Sequence, residues 1–207
     1  MAESGWSEII KGRRVAAGNL PNILRLKIVP SARDLLVRYL KKGESFLDIG
    51  GNDRNLKAFL DSKGTGTEYF SFDVDTNLEH DYYDLDKVDR VFDVAVAFEV
   101  IEHLDVKTAI GCFKRAHDLL RRDGIFVVST PNVCNPVVFW RDCTHITPFR
   151  YDELYGVLAS TGFKDIEVYR CGKYGIWERL KGFYYRPLLK LMRMDFAPGI
   201  VAVARKA

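Results

Sequence analysis

Two short segments of the sequence carry the side chains best suited to catalysis. The segment EVIEH contains Glu99, Glu102 and His103 within five residues, and the segment RDCTHITPF contains His145. His145 or His103 could act as a general base, which removes a proton from an acceptor hydroxyl. The same four side chains could instead bind a divalent metal, because carboxylates and imidazoles are common metal ligands. In a third interpretation, Glu102 and His103 only cap and brace the helix that follows.

The segment DIGGND is typical of a turn that holds a nucleotide-like cofactor. Asp48 ends an apolar run, Gly50 and Gly51 follow it, and Asn52 stands where a third glycine is expected. Glycine lets the backbone turn tightly and approach a ligand. Asn tolerates the left-handed backbone conformation better than other residues with a side chain, so the turn stays competent. A nicotinamide-dependent enzyme would normally show G-x-G-x-x-G, and GGNDRN does not match that pattern.

Further acids follow the next apolar segments. Asp73 comes directly after EYFSF, where a carboxylate is placed to accept hydrogen bonds from ribose hydroxyls. Asp75 is the competing candidate, because a strand end is uncertain by a few residues. Asp84 and Leu85 offer an acid and an apolar contact for an adenine ring. His80 and His117 are expected to be surface residues.

Apolar segments that alternate with helical patterns must position these side chains. Near-continuous apolar strands between helices predict an α/β fold with a mostly parallel sheet covered on both faces. In such sheets ligands bind at the carboxyl ends of the strands, where the acids and histidines lie. The predicted strands are residues 45–50, 68–75, 91–100, 124–132, 163–170 and 199–206, and residues 81–86 are predicted as a short strand or an edge segment. The main predicted helices are residues 31–42, with Ser31 as N-cap, 54–62, 106–122 and 150–162.

Composition indicates an ordinary cytoplasmic protein of one domain. The chain has 207 residues, with 47% hydrophobic and 29% charged residues and a net charge of +3. That charge is too small to indicate nucleic acid by itself. The four cysteines form no C-x-x-C pair, which favours reduced thiols. We expect neither a signal peptide nor a bilayer-spanning segment, because no apolar stretch has the required length.

Taken together, residues 31–207 resemble the class I S-adenosylmethionine-dependent methyltransferases. The resemblance is carried by LDIGGND, FDVD, YDLD, FDVAVAFEVIEHL, LLRRDGIFVVSTPN and STGFKDIEVYR. It implies a Rossmann-like, doubly wound sheet of about seven strands, with an antiparallel last strand and helices on both faces. It also implies S-adenosylmethionine as cofactor, with Asp73 on the ribose and Asp84 and Leu85 at the adenine. The implied cofactor contacts are Asp48, Gly50, Gly51, Asn52, Asp73, Val74, Asp84, Leu85, Phe98 and Glu99.

We divide the predicted domain into four parts. Residues 1–43 form an N-terminal helical cap, 44–170 the cofactor-binding core, 171–199 a helical lid or insert, and 200–207 the last strand. In the cap, Arg13 or Arg14 could pair with the methionine carboxylate of the cofactor. Residues 173–193 of the insert mix aromatic and basic side chains. This mixture suits a lid, a membrane-surface contact that reaches a lipid-linked substrate, a dimer contact or, less well, RNA.

The strings EVIEH and DxTHxxPF narrow the expected reaction. The second string, residues 142–149, resembles small methyltransferases of cell-surface glycan and lipid pathways. It favours O-methylation of a hydroxyl on a small metabolite, a sugar or a lipid-linked glycan. One alternative is a metal-dependent RNA 2′-O-methyltransferase, because the set Glu99, Glu102, His103 and His145 is similar to that of small-RNA methyltransferases. Another alternative is a cofactor-binding module that regulates a partner without catalysis.

Overall fold

A computed structural model describes residues 5–207, without the side chains of residues 5, 6, 8, 178 and 179. Seven strands form one sheet in the order β1-β6-β7-β5-β4-β2-β3. Residues 1–4 of the predicted cap lie outside the described part of the chain. The strands are β1 (Ile28–Val29), β2 (Ser45–Ile49), β3 (Glu68–Phe72), β4 (Phe92–Phe98), β5 (Leu120–Pro131), β6 (Phe163–Cys171) and β7 (Gly199–Lys206).

The direction of the strands confirms the predicted fold class. All pairs are parallel except the two made by β7, which runs antiparallel to β5 and β6. The carboxyl ends of β1 to β6 therefore share one edge of the sheet with the beginning of β7. The helices are α1 (Gly5–Asn19), α2 (Ala32–Val37), α3 (Asn55–Ser62), α4 (Val106–Leu119), α5 (Pro136–Phe139), α6 (Tyr151–Ser160), α7 (Ile176–Tyr184) and α8 (Arg186–Met192).

Two apolar cores cover the two faces of the sheet. Leu47 of β2 packs in the larger core with side chains of α4 and α6, while the adjacent Phe46 packs on the other face with α2 and α3. Successive side chains of a strand point to opposite faces, so a strand between two helical layers is apolar at every position. All five residues of β2 are buried. This double burial is why the apolar runs of the sequence predict the strands well.

The N-terminal helix α1 packs against α6 at a pair of glycines. A Cβ atom on Gly12 would lie 2.7 Å from the Cα of Gly156, so neither position has room for a side chain. Arg13 also forms an ion pair with Glu153 of α6. Arg13 is therefore committed to fixing α1 on the domain, which does not support its predicted pairing with the cofactor. Arg14 is exposed.

Several predicted elements differ from the structure. The helix predicted over 31–42 ends at Val37. Residues 81–86, predicted as a short strand or an edge segment, form no strand: Tyr82 makes one isolated bridge to Phe72 at the sheet edge, and Leu85–Lys87 is a 3₁₀ turn. The helix predicted to end at residue 122 stops at Leu119, and β5 begins at the next residue. The short strand β1 was not predicted, because two residues carry no periodicity. In residues 5–207, no helix has both the length and the apolar character needed to cross a membrane.

Candidate active site

The turn after β2 has the conformation that its glycines predict. Gly50 has φ 79° and Asn52 has φ 39°, so Asn52 adopts the left-handed conformation in place of a glycine. Gly50 is also required by packing, because its Cβ would lie 2.3 Å from the side chain of Val100. The amide of Gly50 donates to the carbonyl of Phe72, 2.8 Å away, which ties the turn to the end of β3. The turn therefore remains intact with Asn52.

Asp73, directly after β3, faces this turn. One of its carboxylate oxygens accepts a hydrogen bond from the backbone amide of Asn52 at 2.9 Å. Asp75 points elsewhere, since its carboxylate accepts both the backbone and the side-chain N–H of Asn77. Val74 between them is exposed. The geometry thus brings Asp73, rather than Asp75, to the predicted cofactor position.

Asp84 and Leu85 begin the 3₁₀ turn between β3 and β4, and Arg115 of α4 is hydrogen-bonded to this turn. The carboxylate of Asp84 accepts the backbone N–H of Asp86 at 3.0 Å and also pairs with Lys87. Leu85 is half-buried against the larger core, and its carbonyl accepts a hydrogen bond from Arg115 of α4. Asp84 is about half exposed and open to a ligand.

His80 is buried, so its prediction as a surface residue is wrong. Its Nδ1 lies 3.1 Å from the hydroxyl of Ser71, and its ring lies directly under Gly51. Asp81 accepts the hydroxyl and amide of Ser71 and pairs with Arg54 at 3.1 Å. This network braces the turn from below, and no sequence pattern indicated it. His117, also expected at the surface, is partly buried and lies edge-on to Phe163.

Asp48 supports the turn from within the sheet. It is buried, and its carboxylate accepts a hydrogen bond from the hydroxyl of Tyr69. Burial raises the pKa of Asp48 from 3.8 to about 6, although the Tyr69 hydrogen bond and Arg33 act to lower it. Asp48 is therefore fixed inside the sheet just before the turn, and its carboxyl keeps its proton to a higher pH than an exposed acid does.

We expect Asp48→Asn to stabilise the protein at high pH. Below pH 3.8 the carboxyl is protonated in the folded and the unfolded chain. As the pH rises towards 6, the unfolded chain ionises first, so the wild-type protein loses stability that the Asn variant keeps. One pKa unit corresponds to about 1.4 kcal/mol, so the advantage of the variant should grow by about 2 kcal/mol between pH 4 and pH 8. Urea unfolding at both pH values measures this difference.

The control for this prediction is Asp118→Asn, which changes an exposed acid at the end of α4. It should show no comparable gain at pH 8. Equal free energies of unfolding for wild type and Asp48→Asn at both pH values would contradict the prediction.

Glu99 and Phe98 lie where β4 ends. Glu99 has φ 55°, a left-handed conformation that directs its side chain towards β5, and there its carboxylate accepts the Ser129 hydroxyl at 2.6 Å. Glu99 as a residue is exposed, but the protein around its carboxylate reduces hydration enough to raise its pKa, while Ser129, His145 and His103 act to lower it. Phe98 is half-buried and packs against the smaller core. Both residues lie at the sheet edge that the sequence predicts as the ligand site.

Glu102 is the most unusual residue at this edge. It is fully buried, and neither of its carboxylate oxygens has a hydrogen-bond partner among residues 5–207. Burial and the nearby Glu99 raise the pKa of Glu102 to about 8. The buried Thr130 hydroxyl makes no hydrogen bond of standard geometry in the described chain, but it lies close enough to Glu102 to oppose this rise in pKa. Buried carboxylates are normally paired, so this arrangement indicates a group that meets a ligand or a proton.

The two histidines next to Glu102 have defined tautomers. His145 Nδ1 lies 2.8 Å from the carbonyl oxygen of Phe139, which only accepts, so this nitrogen carries the proton. His103 Nδ1 lies 2.9 Å from Thr144 Oγ1, and that hydroxyl donates to Asp142 at 2.7 Å. His103 therefore also donates from Nδ1. In both rings Nε2 is left with a lone pair.

Glu102, His103 and His145 form one compact group. The ring centroids of the two histidines are 4.8 Å apart, and one ligand atom from each of the three residues lies within 4.8 Å of the others. Among the described residues, Glu99 is not a member of this group, so the structure assembles three of the four predicted metal ligands. The group can accept a proton or hold a cation.

Backbone hydrogen bonds fasten the loop that carries His145. The carbonyl of Glu102 accepts the amides of Ile146 at 2.8 Å and Thr147 at 3.0 Å. The Thr147 hydroxyl donates to the carbonyl of Leu104. The DxTHxxPF string therefore positions His145 against the EVIEH segment, which is the juxtaposition predicted from adjacent strand ends.

Several solved structures with a similar fold are named as methyltransferases. An S-adenosylmethionine-dependent methyltransferase from Archaeoglobus fulgidus is 20% identical with a TM-score of 0.64, over 84% of this chain and 94% of that chain. One from Clostridium acetobutylicum is 11% identical with a TM-score of 0.59, over 98% of both chains. Haemonchus contortus phosphoethanolamine N-methyltransferase 2, solved with S-adenosyl-L-methionine, is 16% identical with a TM-score of 0.58, over 84% of this chain and 52% of that chain.

At these identities the solved structures show a shared fold alone. No curated protein matches the chain. A family model described as a methyltransferase domain matches residues 24–168, which is most of the chain and includes both the glycine turn and the Glu102–His145 group. The chain thus belongs to the methyltransferase-domain family, as a class I S-adenosylmethionine-dependent methyltransferase.

Proposed function

We propose that this enzyme transfers a methyl group to a hydroxyl oxygen on a small metabolite, a sugar or a lipid-linked glycan. The observation that carries the proposal is the orientation of His145. Its Nδ1 is held by the carbonyl of Phe139, so Nε2 is the free nitrogen, and the ring belongs to the compact group with Glu102 and His103. A hydroxyl is a poor nucleophile until its proton is removed, and a positioned imidazole can remove it.

The residues around the glycine turn fit S-adenosylmethionine. When bound, the cofactor supplies an electrophilic methyl group on a sulfonium. Asp73 accepts the amides of Asn52 and Asp75 on its two carboxylate oxygens, and their remaining lone pairs would accept the ribose hydroxyls. Val74 next to it is exposed, and Asp84 of the 3₁₀ turn is half-exposed. Glu99, at the end of β4, would add a further carboxylate to the lining. The acidic lining suits a cationic cofactor.

In this proposal the two histidines have different tasks. His145 accepts the proton of the acceptor hydroxyl at Nε2. His103 is held by its Nδ1 contact with Thr144, whose hydroxyl donates to Asp142, and this fixes the His103 ring beside His145. Glu102 adjoins both rings, so a proton gained by His145 favours ionisation of Glu102.

A labelling experiment tests the linkage that is formed. The protein is incubated with S-adenosylmethionine carrying a deuterated methyl group and with sugars, polyols and short-chain lipid phosphates as acceptors. Mass spectrometry should find the label as a methyl ether on oxygen. Label found only on nitrogen or carbon would contradict O-methylation.

A second candidate is a metal-dependent enzyme, such as an RNA 2′-O-methyltransferase. The observation that favours it is the donor set of Glu102, His103 and His145, with an unpartnered carboxylate and two free Nε2 atoms. The opposite nitrogens of both rings donate to oxygen, as is usual for histidine ligands. Two imidazoles and a carboxylate suit a divalent transition metal, which would orient substrate oxygens and lower their pKa.

Thermal unfolding with added Zn²⁺, Mn²⁺ or Mg²⁺ tests the metal site without an activity assay. A metal at about 100 times its dissociation constant stabilises the folded state by about 2.7 kcal/mol. In a chain of this size that shift raises Tm by about 5–10 °C. We expect the rise in wild type and in the distant control His117→Gln, and its loss in Glu102→Gln. An unchanged Tm of the wild type with all three metals would contradict the metal site.

A further inference from the structure

A cavity of about 540 Å³ lies at the carboxyl end of β6, beneath the α7–α8 insert. Its volume is in the usual range for sites that bind small molecules. The apolar part of its wall comes from the N-terminal segment and from the insert, through Leu24, Ile28, Phe183, Leu189 and Phe196. A wall of this kind suits a hydrocarbon chain.

The polar part of the wall is cationic. Arg170 is neutralised by Asp195, which lies 3.0 Å away and is buried. Lys173 and Arg186 also line the cavity, and neither forms an ion pair within the described part of the chain. Arg186 makes one long hydrogen bond of 3.4 Å to a backbone carbonyl. Two positive charges are therefore available to an anion in the cavity.

Tyr174 adds a hydrogen-bond donor that has no partner. Its hydroxyl is buried and lacks a hydrogen bond in the described residues, although the ring lines the cavity. Burial raises the pKa of Tyr174 to about 12, so the hydroxyl keeps its proton at neutral pH. Buried hydroxyls nearly always find a partner, and an acceptor atom bound beside Tyr174 in the cavity would supply one.

Exposed apolar side chains surround this part of the insert. Trp177 is 70% exposed, Phe183 79%, Tyr184 78% and Leu191 82%. Solvent-exposed aromatic and aliphatic side chains beside cationic groups are typical of proteins that take ligands from lipid surfaces. The insert therefore offers a route for an apolar chain into the cavity.

Hydrogen bonds connect the wall of the cavity to the segment that leads from β5 to His145. Asn132, at the end of β5, donates from Nδ2 to Asp195 at 3.0 Å. Asn135 donates to the carbonyl of Phe196, which lines the cavity. The segment after β5 thus links the cavity wall to the candidate active site along the same edge of the sheet.

We propose that this cavity binds an anionic amphiphile, with a phosphate or similar anion at Lys173, Arg186 and Tyr174 and an apolar chain against Phe183, Leu189 and Phe196. Its role as the binding site of the methyl acceptor rests on the proposed function. The binding itself requires neither the cofactor nor methyl transfer.

Calorimetric titration with decyl phosphate tests the binding. Inorganic phosphate serves as the head group alone, and decyl maltoside as an apolar chain with a neutral head. We expect decyl phosphate to bind at least tenfold more tightly than either. Arg186→Glu and Lys173→Glu should each weaken its binding at least tenfold, and Tyr174→Phe several-fold.

Matched variants on the insert are the controls. Lys190→Glu makes the same charge change on α8, and Tyr184→Phe removes an exposed hydroxyl on α7, both outside the cavity wall. Both should bind decyl phosphate like wild type, and circular dichroism confirms that every variant is folded. Equal binding of decyl phosphate and decyl maltoside, or equal losses in the control variants, would overturn the proposal.

Two further experiments identify the source of the ligand and distinguish a failure of the cavity assignment from a failure of the proposed function. Vesicles with 20% phosphatidic acid should retain wild type but not Arg186→Glu if a membrane lipid supplies the anion. Binding to decyl phosphate without vesicle retention would identify a soluble amphiphile. Binding of decyl phosphate without binding of S-adenosylhomocysteine would overturn the proposed function and leave the cavity assignment intact. Binding of S-adenosylhomocysteine without binding of decyl phosphate would overturn the cavity assignment alone.

Discussion

His145→Ala is expected to lower turnover by about 10²–10⁴-fold, the usual contribution of a positioned general base. The affinity for the cofactor should stay within about twofold of wild type. Nε2 of His145 is the free nitrogen of a ring whose tautomer is set by the carbonyl of Phe139. Alanine removes the proton acceptor but leaves the backbone bonds that fasten its loop to Glu102. Single-turnover kinetics with the labelled cofactor measure the change.

The matched control is Cys143→Ala, which shortens an exposed side chain on the same loop. It should turn over like wild type. If His145→Ala also turns over at the wild-type rate, His145 is not the base. A parallel loss of cofactor affinity in His145→Ala would instead assign it a role in shaping the site.

Asp73→Ala is expected to weaken S-adenosylhomocysteine binding at least tenfold. The substitution removes the carboxylate expected at the ribose. It also removes the acceptor of the 2.9 Å hydrogen bond from the Asn52 amide, which fixes the turn. A hydrogen bond to a charged group contributes about 1.5–3 kcal/mol, which corresponds to roughly 10- to 100-fold in affinity. Calorimetric titration measures this loss directly.

Asp75→Ala is the control for this variant, because Asp75 is exposed two residues away and turns towards Asn77. Its affinity should remain close to that of wild type. A wild-type affinity in Asp73→Ala, with a loss in Asp75→Ala, would move the ribose contact to Asp75.

Three carboxyl groups at this edge of the sheet share one electrostatic property. The pKa values of Asp48, Glu99 and Glu102 are all raised, chiefly because surrounding protein removes water from the carboxylates. Each such acid lowers the stability of the folded chain when it ionises, and Glu99 and Glu102 also repel each other. A cation or a transferable proton offsets this effect, so the cluster is better explained by function than by stability.

The sheet and the cofactor turn were predictable because both depend on local patterns. Leu47 and Phe46 alternate between two cores, which makes β2 apolar throughout. Asn52 was predicted to replace a glycine, and its φ of 39° confirms this, because the conformational preference belongs to the residue itself.

Features that depend on contacts between distant segments were not predictable. His80 is buried because its ring packs against Gly51 and its Nδ1 contacts the Ser71 hydroxyl. Nothing near His80 in the sequence indicates these contacts. The missing partners of Glu102 depend on how β4, β5 and the His145 loop meet. The pairing of Arg13 joins segments 140 positions apart.

The most direct test of the cofactor assignment is calorimetric titration of the wild-type protein with S-adenosylhomocysteine and, in parallel, with NADH. We predict micromolar binding of S-adenosylhomocysteine to one site per chain and no heat of binding with NADH. That result would show that the turn with Asn52 holds the expected cofactor. Binding of NADH, or no binding of S-adenosylhomocysteine, would contradict the assignment of the glycine turn, Asp73 and Glu99 to this cofactor.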